Sequence, residues 1–366
     1  MICPPAPPTT FLDNLLSSSE AGMPVGGQQL AAQTRSYVYD SLSRLTSAAT
    51  PESGTVSYFY TTAGGSACSA DPSLVCRRTD ARSVTSTYSY DGLNRLTGIS
   101  YSDGTPAAAY AYGASAASNN NGRLLTAGAG SFYTETYSYD AIGRVTQVSK
   151  VMDGNTYNIG YGYNNANEMT SITYPSGRAI TQGYDGVGRL TQMLSAGSPP
   201  YLTIASADYT AAGQVKHLLY GNGVAGDLSY NDHLQVATLR YSKPSSPDLL
   251  NLSYDYTTPA VTGNNGQIQK VHYYTAPGTE DATKTQTYEY DAWLRIKKAY
   301  TTDLVALGTW RLEWDYDRFG NRRNQTLTGG NTSITQPQLS ISETTNRITD
   351  AGYAYDAAGN MTNDSL

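Results

Sequence analysis

Residues 86–101 read S-T-Y-S-Y-D-G-L-N-R-L-T-G-I-S-Y, and this stretch decides the fold. Tyr88 and Tyr90 stand two apart, so they share one face of an extended strand. Asp91 opens a turn, because its carboxylate can accept a local backbone N–H. Asn94, three residues on, suits the left-handed backbone of a tight reversal. The chain returns as R-L-T-x-I-x-Y, with Leu96 and Ile99 expected to pack inward. The phrase recurs. It starts at Tyr39 with Asp40, at Tyr90 with Asp91, at Tyr139 with Asp140 and at Tyr184 with Asp185. A looser copy starts at Tyr290 with Asp291, and decayed ones at Tyr163, Tyr209, Tyr230, Tyr316 with Asp317 and Tyr355 with Asp356. Starts at 139, 163, 184, 209, 230 and 254 are separated by 24, 21, 25, 21 and 24 residues.

Between these phrases come second turns: S-D-G-T from Ser102, M-D-G-N from Met152, P-S-G-R from Pro175 and G-N-G-V from Gly221. One unit is therefore a long β-hairpin plus a turn to the next. The expected fold is all-β: tandem long hairpins zipped into one continuous antiparallel ribbon that curls into a shell or tube. About a dozen such units at strand spacing are too few to seal a chamber, so an arc with two open edges is expected. The array is placed at residues 35–366. Residues 1–34, with C-P-P-A-P-P and V-G-G-Q-Q-L, lack the phrase and form a Pro/Gly-rich segment, either a linker or a strand-donating arm.

Composition agrees with strands. Of 366 residues 32 are Tyr and 35 Gly, only 4 are Phe, and charged residues make up 15%, too few for a helical bundle. No apolar run approaches the 18 residues of a membrane span. The net charge of −6 supplies no basic stripe for nucleic acid. The first ten residues show neither a basic region nor an apolar core of a signal peptide. Cys68 and Cys76 bracket a short loop: they pair in an oxidising compartment or stand as two free thiols.

No residue set has the spacing of an active site. G-N-G-V-A-G at 221–226 matches a dinucleotide fingerprint, but strand-like alternation follows where a helix is required, so a hairpin turn is expected. Eight Tyr-Asp pairs, the seven above and Asp255, repeat once per unit; catalysis needs one special place, so these aspartates are assigned to turns. Arg44, Arg95, Arg144, Arg189 and Arg295, each four after its Asp, are expected to bridge it or to stack on tyrosine rings of neighbouring units. His217, His233 and His272 lie apart, without metal-ligand spacing, and no cofactor is expected. Sequons at Asn251, Asn324, Asn331, Asn360 and Asn363 mean glycosylation only in an exported protein of a source that modifies Asn.

The recurring Y-D-x-x-G-R-L phrase resembles the YD-repeat family, also called rearrangement hotspot (RHS) repeats, found in bacterial toxin shells, toxin-complex cocoons and teneurins. The resemblance implies hairpins spiralling into a hollow shell that often encloses a toxin or an unfolded polypeptide. RHS proteins usually end the array with a D-P-x-G-rich core segment that cleaves itself; no D-P-x-G occurs here, so that activity transfers to no residue. The expectation is a non-enzymatic structural protein, extracellular or at a cell surface, acting as scaffold or enclosure. The alternative is a fibre-forming or adhesin-like protein that self-associates through its open sheet edges, with tyrosine ladders touching carbohydrate.

Overall fold

The computed structural model describes residues 14–20, 32–196, 204–258, 263–334, 336 and 338–364. Most of the Pro/Gly-rich segment, Cys3 included, lies outside them. Among the described residues the regular elements are all strands, and every strand-to-strand ladder is antiparallel. The chain divides into two compact units: residues 1–157 with 316–321 and 339–366, and residues 158–315 with 322–338.

In the first unit the strands pair in strict sequence order from Ser17–Glu20 through Gln33–Tyr39 and Leu45–Thr50 to Val145–Met152. The sheet is an open path, not a barrel. Ser17–Glu20 lies beside Gln33–Tyr39, with Glu20 opposite Gln33. Alternation along Tyr133–Tyr139 puts Tyr133, Glu135, Tyr137 and Tyr139 on the covered face and Thr134, Thr136 and Ser138 on the exposed one. In the second unit, Met169–Thr173, Ala179–Tyr184 and Leu190–Ala196 pair in order. From Ile204–Tyr209 to Arg322–Gly330 neighbours again pair, with Thr279–Glu280 beside Lys270–Ala276 off the main path.

A bulge recurs just before the Tyr-Asp turns that start at Asp40, Asp91, Asp140, Asp185, Asp291 and Asp356. Val38 faces Ser47 while Tyr39 faces Leu45, and Ser89 faces Gly98 while Tyr90 faces Leu96. The surplus residue is the threonine of R-L-T, Thr46 or Thr97. Its hydroxyl occupies a carbonyl of the opposite strand: Thr46 Oγ1 donates to the Val38 oxygen at 3.1 Å and Thr191 Oγ1 to that of Gly183 at 3.2 Å.

Among the described residues few apolar side chains are buried: Val56, Cys76, Ile180, Ala207, Ala299 and Leu312. Threonines supply further burial in the second unit, and each finds a backbone partner. Trp310 N donates to Thr301 Oγ1 at 3.0 Å, and Thr309 Oγ1 donates to the Ala306 oxygen at 2.6 Å.

Because the strands of the first unit's sheet alternate in direction, the turns at 40–44, 91–95 and 140–144 lie on one rim of it and those at 51–53, 80–84, 102–107 and 153–154 on the other. In the first unit the C-terminal segment returns to that second rim. Arg318, in the turn at 317–321, donates through Nη2 to the Glu20 backbone oxygen at 2.6 Å. Arg347 Nη2 reaches the Glu52 oxygen at 2.9 Å, Gln33 donates to the Thr344 oxygen, and Arg82 Nε lies 3.6 Å from Asp356 Oδ2. The approach is close enough to demand glycine: a Cβ on Gly359, whose φ is +88°, would stand 2.5 Å from the Glu52 oxygen. This segment adds no strand to the sheet it touches; Ala354–Tyr355 and Met361–Asn363 pair only with each other.

Candidate functional site

The repeated turn is the one constellation that recurs through both units. Its loop closes with two backbone bonds: Asp91 N donates to the Arg95 oxygen at 3.0 Å and Asn94 N to the Asp91 oxygen at 2.9 Å. The Asp91 carboxylate fills the turn. Its Oδ1 accepts from Leu93 N at 2.9 Å and Arg95 N at 3.0 Å, and its Oδ2 takes Arg95 Nε at 2.7 Å. Asp40, Asp140, Asp185 and Asp291 repeat this pattern with Arg44, Arg144, Arg189 and Arg295, each Nε at 2.7 Å. Asp317 and Asp356 pair instead with Asn321 at 2.8 Å and Asn360 at 2.9 Å.

Position four of the loop is left-handed throughout: Asn94 at φ +62°, Gly143 at +92°, Gly188 at +83° and also Leu234 at +61° and Leu294 at +62°. A leucine there is strained, since its Cβ crowds the following carbonyl. The charge-free copies keep the design. Asn231 Oδ1 accepts from His233 N and Gln235 N at 3.0 Å, and its amide donates to Gln235 Oε1 at 2.9 Å.

Two further kinds of bond tie turns to their neighbours. The first comes from the tyrosine. Tyr60, Tyr90, Tyr139, Tyr184 and Tyr230 donate their hydroxyls to the backbone oxygens of Leu45, Val75, Leu124, Met169 and Val215, at 2.9, 2.8, 2.6, 2.7 and 2.7 Å. Each acceptor lies fifteen residues earlier. Tyr290 reaches the Ile268 oxygen across a longer loop, at 2.6 Å. The second comes from the arginine. Arg44, Arg95 and Arg189 lie over the rings of Tyr60, Tyr112 and Tyr209 at 4.3, 4.1 and 4.9 Å. The same guanidinium groups donate onward to the backbone oxygens of Pro72, Gly122 and Thr210.

Electrostatics follow from these bonds. The Arg44 guanidinium holds the Asp40 carboxyl below its ordinary range, and Arg95 does so for Asp91. Burial pushes the hydroxyls of Tyr90, Tyr139 and Tyr184 up. Tyr137, which donates to Glu135 at 2.7 Å, is raised to about 12, chiefly by that bond. These hydroxyls, carboxylates and guanidiniums are thus engaged in cohesion, and the arrangement is repeated instead of converging on one point.

The structure relocates one predicted turn residue. Asp255 does not open a turn; it ends the strand Leu250–Asp255, opposite Lys270, and its Oδ2 meets His272 Nε2 at 2.8 Å. The next residue, Tyr256, takes the tyrosine's role, donating to the Val236 oxygen at 3.0 Å. The segment G-N-G-V-A-G is a hairpin turn, closed by Tyr220 N to the Val224 oxygen at 2.8 Å. His217 meets Asp227 at 2.6 Å, and among the described residues no group of His, Cys, Asp and Glu is arranged to hold a metal ion. Cys68 and Cys76 are joined in a disulfide, with Cα atoms 5.6 Å apart.

The sequon residues are spread over both units. The Asn251, Asn331, Asn360 and Asn363 amides donate to Asp248, the Val305 oxygen, Asp356 and the Gly352 oxygen, while Asn324 bridges to Gln338. A hollow of about 510 Å³ in the second unit is lined by Tyr288, Tyr290, Tyr300, Asn265, Gln269 and Glu289 among others.

The tyrosine ladders of the sequence reading imply contacts through ring faces. The recurrent contact is instead hydroxyl to carbonyl, and the Tyr220–Tyr241 ring pair, 6.2 Å apart, is not the repeated element. The constant spacing of fifteen, which for Leu45 and Leu124 starts at the residue after an arginine, is the signal for it.

Comparison with known proteins bears on the same residues. Residues 114–257 match the family model described as teneurin YD-shell, and residues 76–106 match the RHS repeat model. No curated protein matches the chain. Among solved structures, the fold is similar to the TcdB2-TccC3 crystal structure, at TM-score 0.71 and 15% identity over 96% of this chain and 21% of that one. It is also similar to the Tc holotoxin pore of Photorhabdus luminescens, at TM-score 0.70 and 15% identity over 94% of this chain and 20% of that one. The chain thus spans about a fifth of the length of those structures.

Proposed function

Taking the chain as an array of YD/RHS repeats, we propose that it is a section of non-enzymatic wall, extracellular or at a cell surface, that scaffolds or encloses a polypeptide. The observation that carries this reading is the use of side chains: the Asp and Arg of the Tyr-Asp-Arg turns bond each other, and the hydroxyls of Tyr90, Tyr139, Tyr184 and Tyr290 bond the chain before them. A wall needs cohesion at every joint and no unique point, which is what the repeated joint supplies. The Cys68–Cys76 disulfide supports an oxidising location. The match to the teneurin YD-shell model and the likeness to Tc toxin components support enclosure of a polypeptide.

The test is protease protection. An unfolded reporter segment fused after Leu366 is digested in parallel with the same segment on an unrelated β-protein. Slower digestion of the reporter on this chain supports enclosure, and equal rates refute it.

A second reading, carbohydrate contact in an adhesin, is favoured by one feature, the hollow lined by Tyr288, Tyr290 and Tyr300 beside Asn265 and Gln269. Aromatic faces with amide groups suit sugar rings. Glycan-array binding that is lost in Tyr300→Ala supports it, and a blank array removes it.

A further inference from the structure

The Tyr-Asp turns of the first unit fall into two groups. Leu42, Leu93 and Ile142, the third residues of the turns at 40–44, 91–95 and 140–144, are 65, 73 and 70% exposed. In the turn at 317–321 the same position is Phe319, which is half-covered, and Asp317 is only 2% exposed. That turn and the one at 356–360 are seated against the opposite rim at Glu20, Glu52 and Arg82.

We propose that the Tyr-Asp rim carrying Leu42, Leu93 and Ile142 is an interface that receives the opposite rim of a second copy of this chain, at the turns holding Asp103 and Asp153. Three arguments converge on this occupant. The first unit already contains the contact in miniature, with its own Tyr-Asp turns docked on its own second rim. The turns at 40–44, 91–95 and 140–144 each present a large apolar side chain to water, where the docked ones present a half-covered Phe or a small Ala. Finally, both rims are the ends of one set of strands, so turns recur along each at the same interval, two strands or about 10 Å. Two copies stacked rim to rim are therefore in register without distortion.

The rims are different surfaces, so the contact is head to tail and admits assemblies larger than dimers. It lies along the strand direction and is distinct from pairing between edge strands. It adds to the wall reading without depending on it, since a monomeric wall section would still enclose.

Sedimentation velocity of the full chain over a hundredfold concentration range tests the proposal. The wild type is compared with Leu93→Asp/Ile142→Asp and with Leu307→Asp, a control residue 85% exposed elsewhere. The expected result is a mass that rises with concentration in wild type and control. Association of the double variant should be weaker by roughly tenfold or more, with an unchanged melting temperature. A wild type that stays monomeric overturns the proposal. So does equal association of wild type and double variant, which would point to edge-strand pairing, or equal weakening by the control.

Discussion

The hydroxyl of Tyr90 donates to the backbone oxygen of Val75 at 2.8 Å, and so fastens one hairpin to the one before it. Five tyrosines make this bond at the same sequence separation, which turns a residue type usually assigned to packing into a row of polar fasteners.

Tyr139→Phe removes one fastener and keeps the ring. The Leu124 carbonyl, 2.6 Å from the hydroxyl, loses this partner, so the expected cost is about 1–2 kcal/mol. Tyr157→Phe, at a residue 40% exposed, should change stability by less than about 0.5 kcal/mol. Urea unfolding of the two variants checks the difference, and equal effects would contradict the fastener role.

Stability should fall at both ends of the pH scale for opposite reasons. Asp40 and Asp91 are depressed by bonds to Arg44 and Arg95, so their contribution is present above the ordinary Asp value near 3.9. It is lost as pH falls further, through the folded-state value. Tyr90, Tyr139 and Tyr184 are raised by burial, so the neutral phenol favours the fold. Their contribution is intact below about pH 10 and is lost as pH rises through the raised values. Thermal melts across pH, with tyrosinate absorbance on the alkaline side, should show a plateau between roughly pH 5 and 9. A maximum at acid pH would contradict it.

Leu294 sits at φ +62° in a loop position where Gly213 sits at +84°. Leu294→Gly is therefore expected to be neutral or to stabilise by up to about 1 kcal/mol, the relief of strain exceeding the added freedom of the unfolded chain. Gly213→Ala meets no atom within 4 Å, yet should cost about 1 kcal/mol from backbone strain alone. Paired denaturant curves decide whether the signs are opposite.

The Cys68–Cys76 bridge closes a short loop of sequence separation 8. Chain-entropy arguments put its contribution at roughly 2–3 kcal/mol. Reduction, or Cys68→Ser with Cys76→Ser, should speed amide hydrogen exchange in strands Gly54–Phe59 and Arg77–Thr79, which flank the loop. Unchanged exchange there would show the bridge to be incidental.

The hairpin unit, its period and the turn aspartates were legible because they depend on local rules: alternation at two, a short acceptor at the turn, a left-handed fourth position. Asp255 misled because a Tyr-Asp pair has the same letters whether the Asp is the last residue of a strand or the first of a turn, and only the ladder to Lys270 distinguishes them. The bulged threonines were also out of reach, since a bulge is defined by the register of the opposite strand.

From its sequence alone, this chain is committed to an all-β ribbon of antiparallel hairpins, since each unit carries its own strand period and turn chemistry within about twenty-five residues. Tertiary structure alone decided which carbonyl each tyrosine takes, which ring each arginine covers, and that the turns of Asp317 and Asp356 seat on the rim at Glu20 and Glu52. Those contacts join residues up to 298 positions apart, and no local preference specifies a partner at that distance. It is set by where the accumulated path of the strands brings the chain.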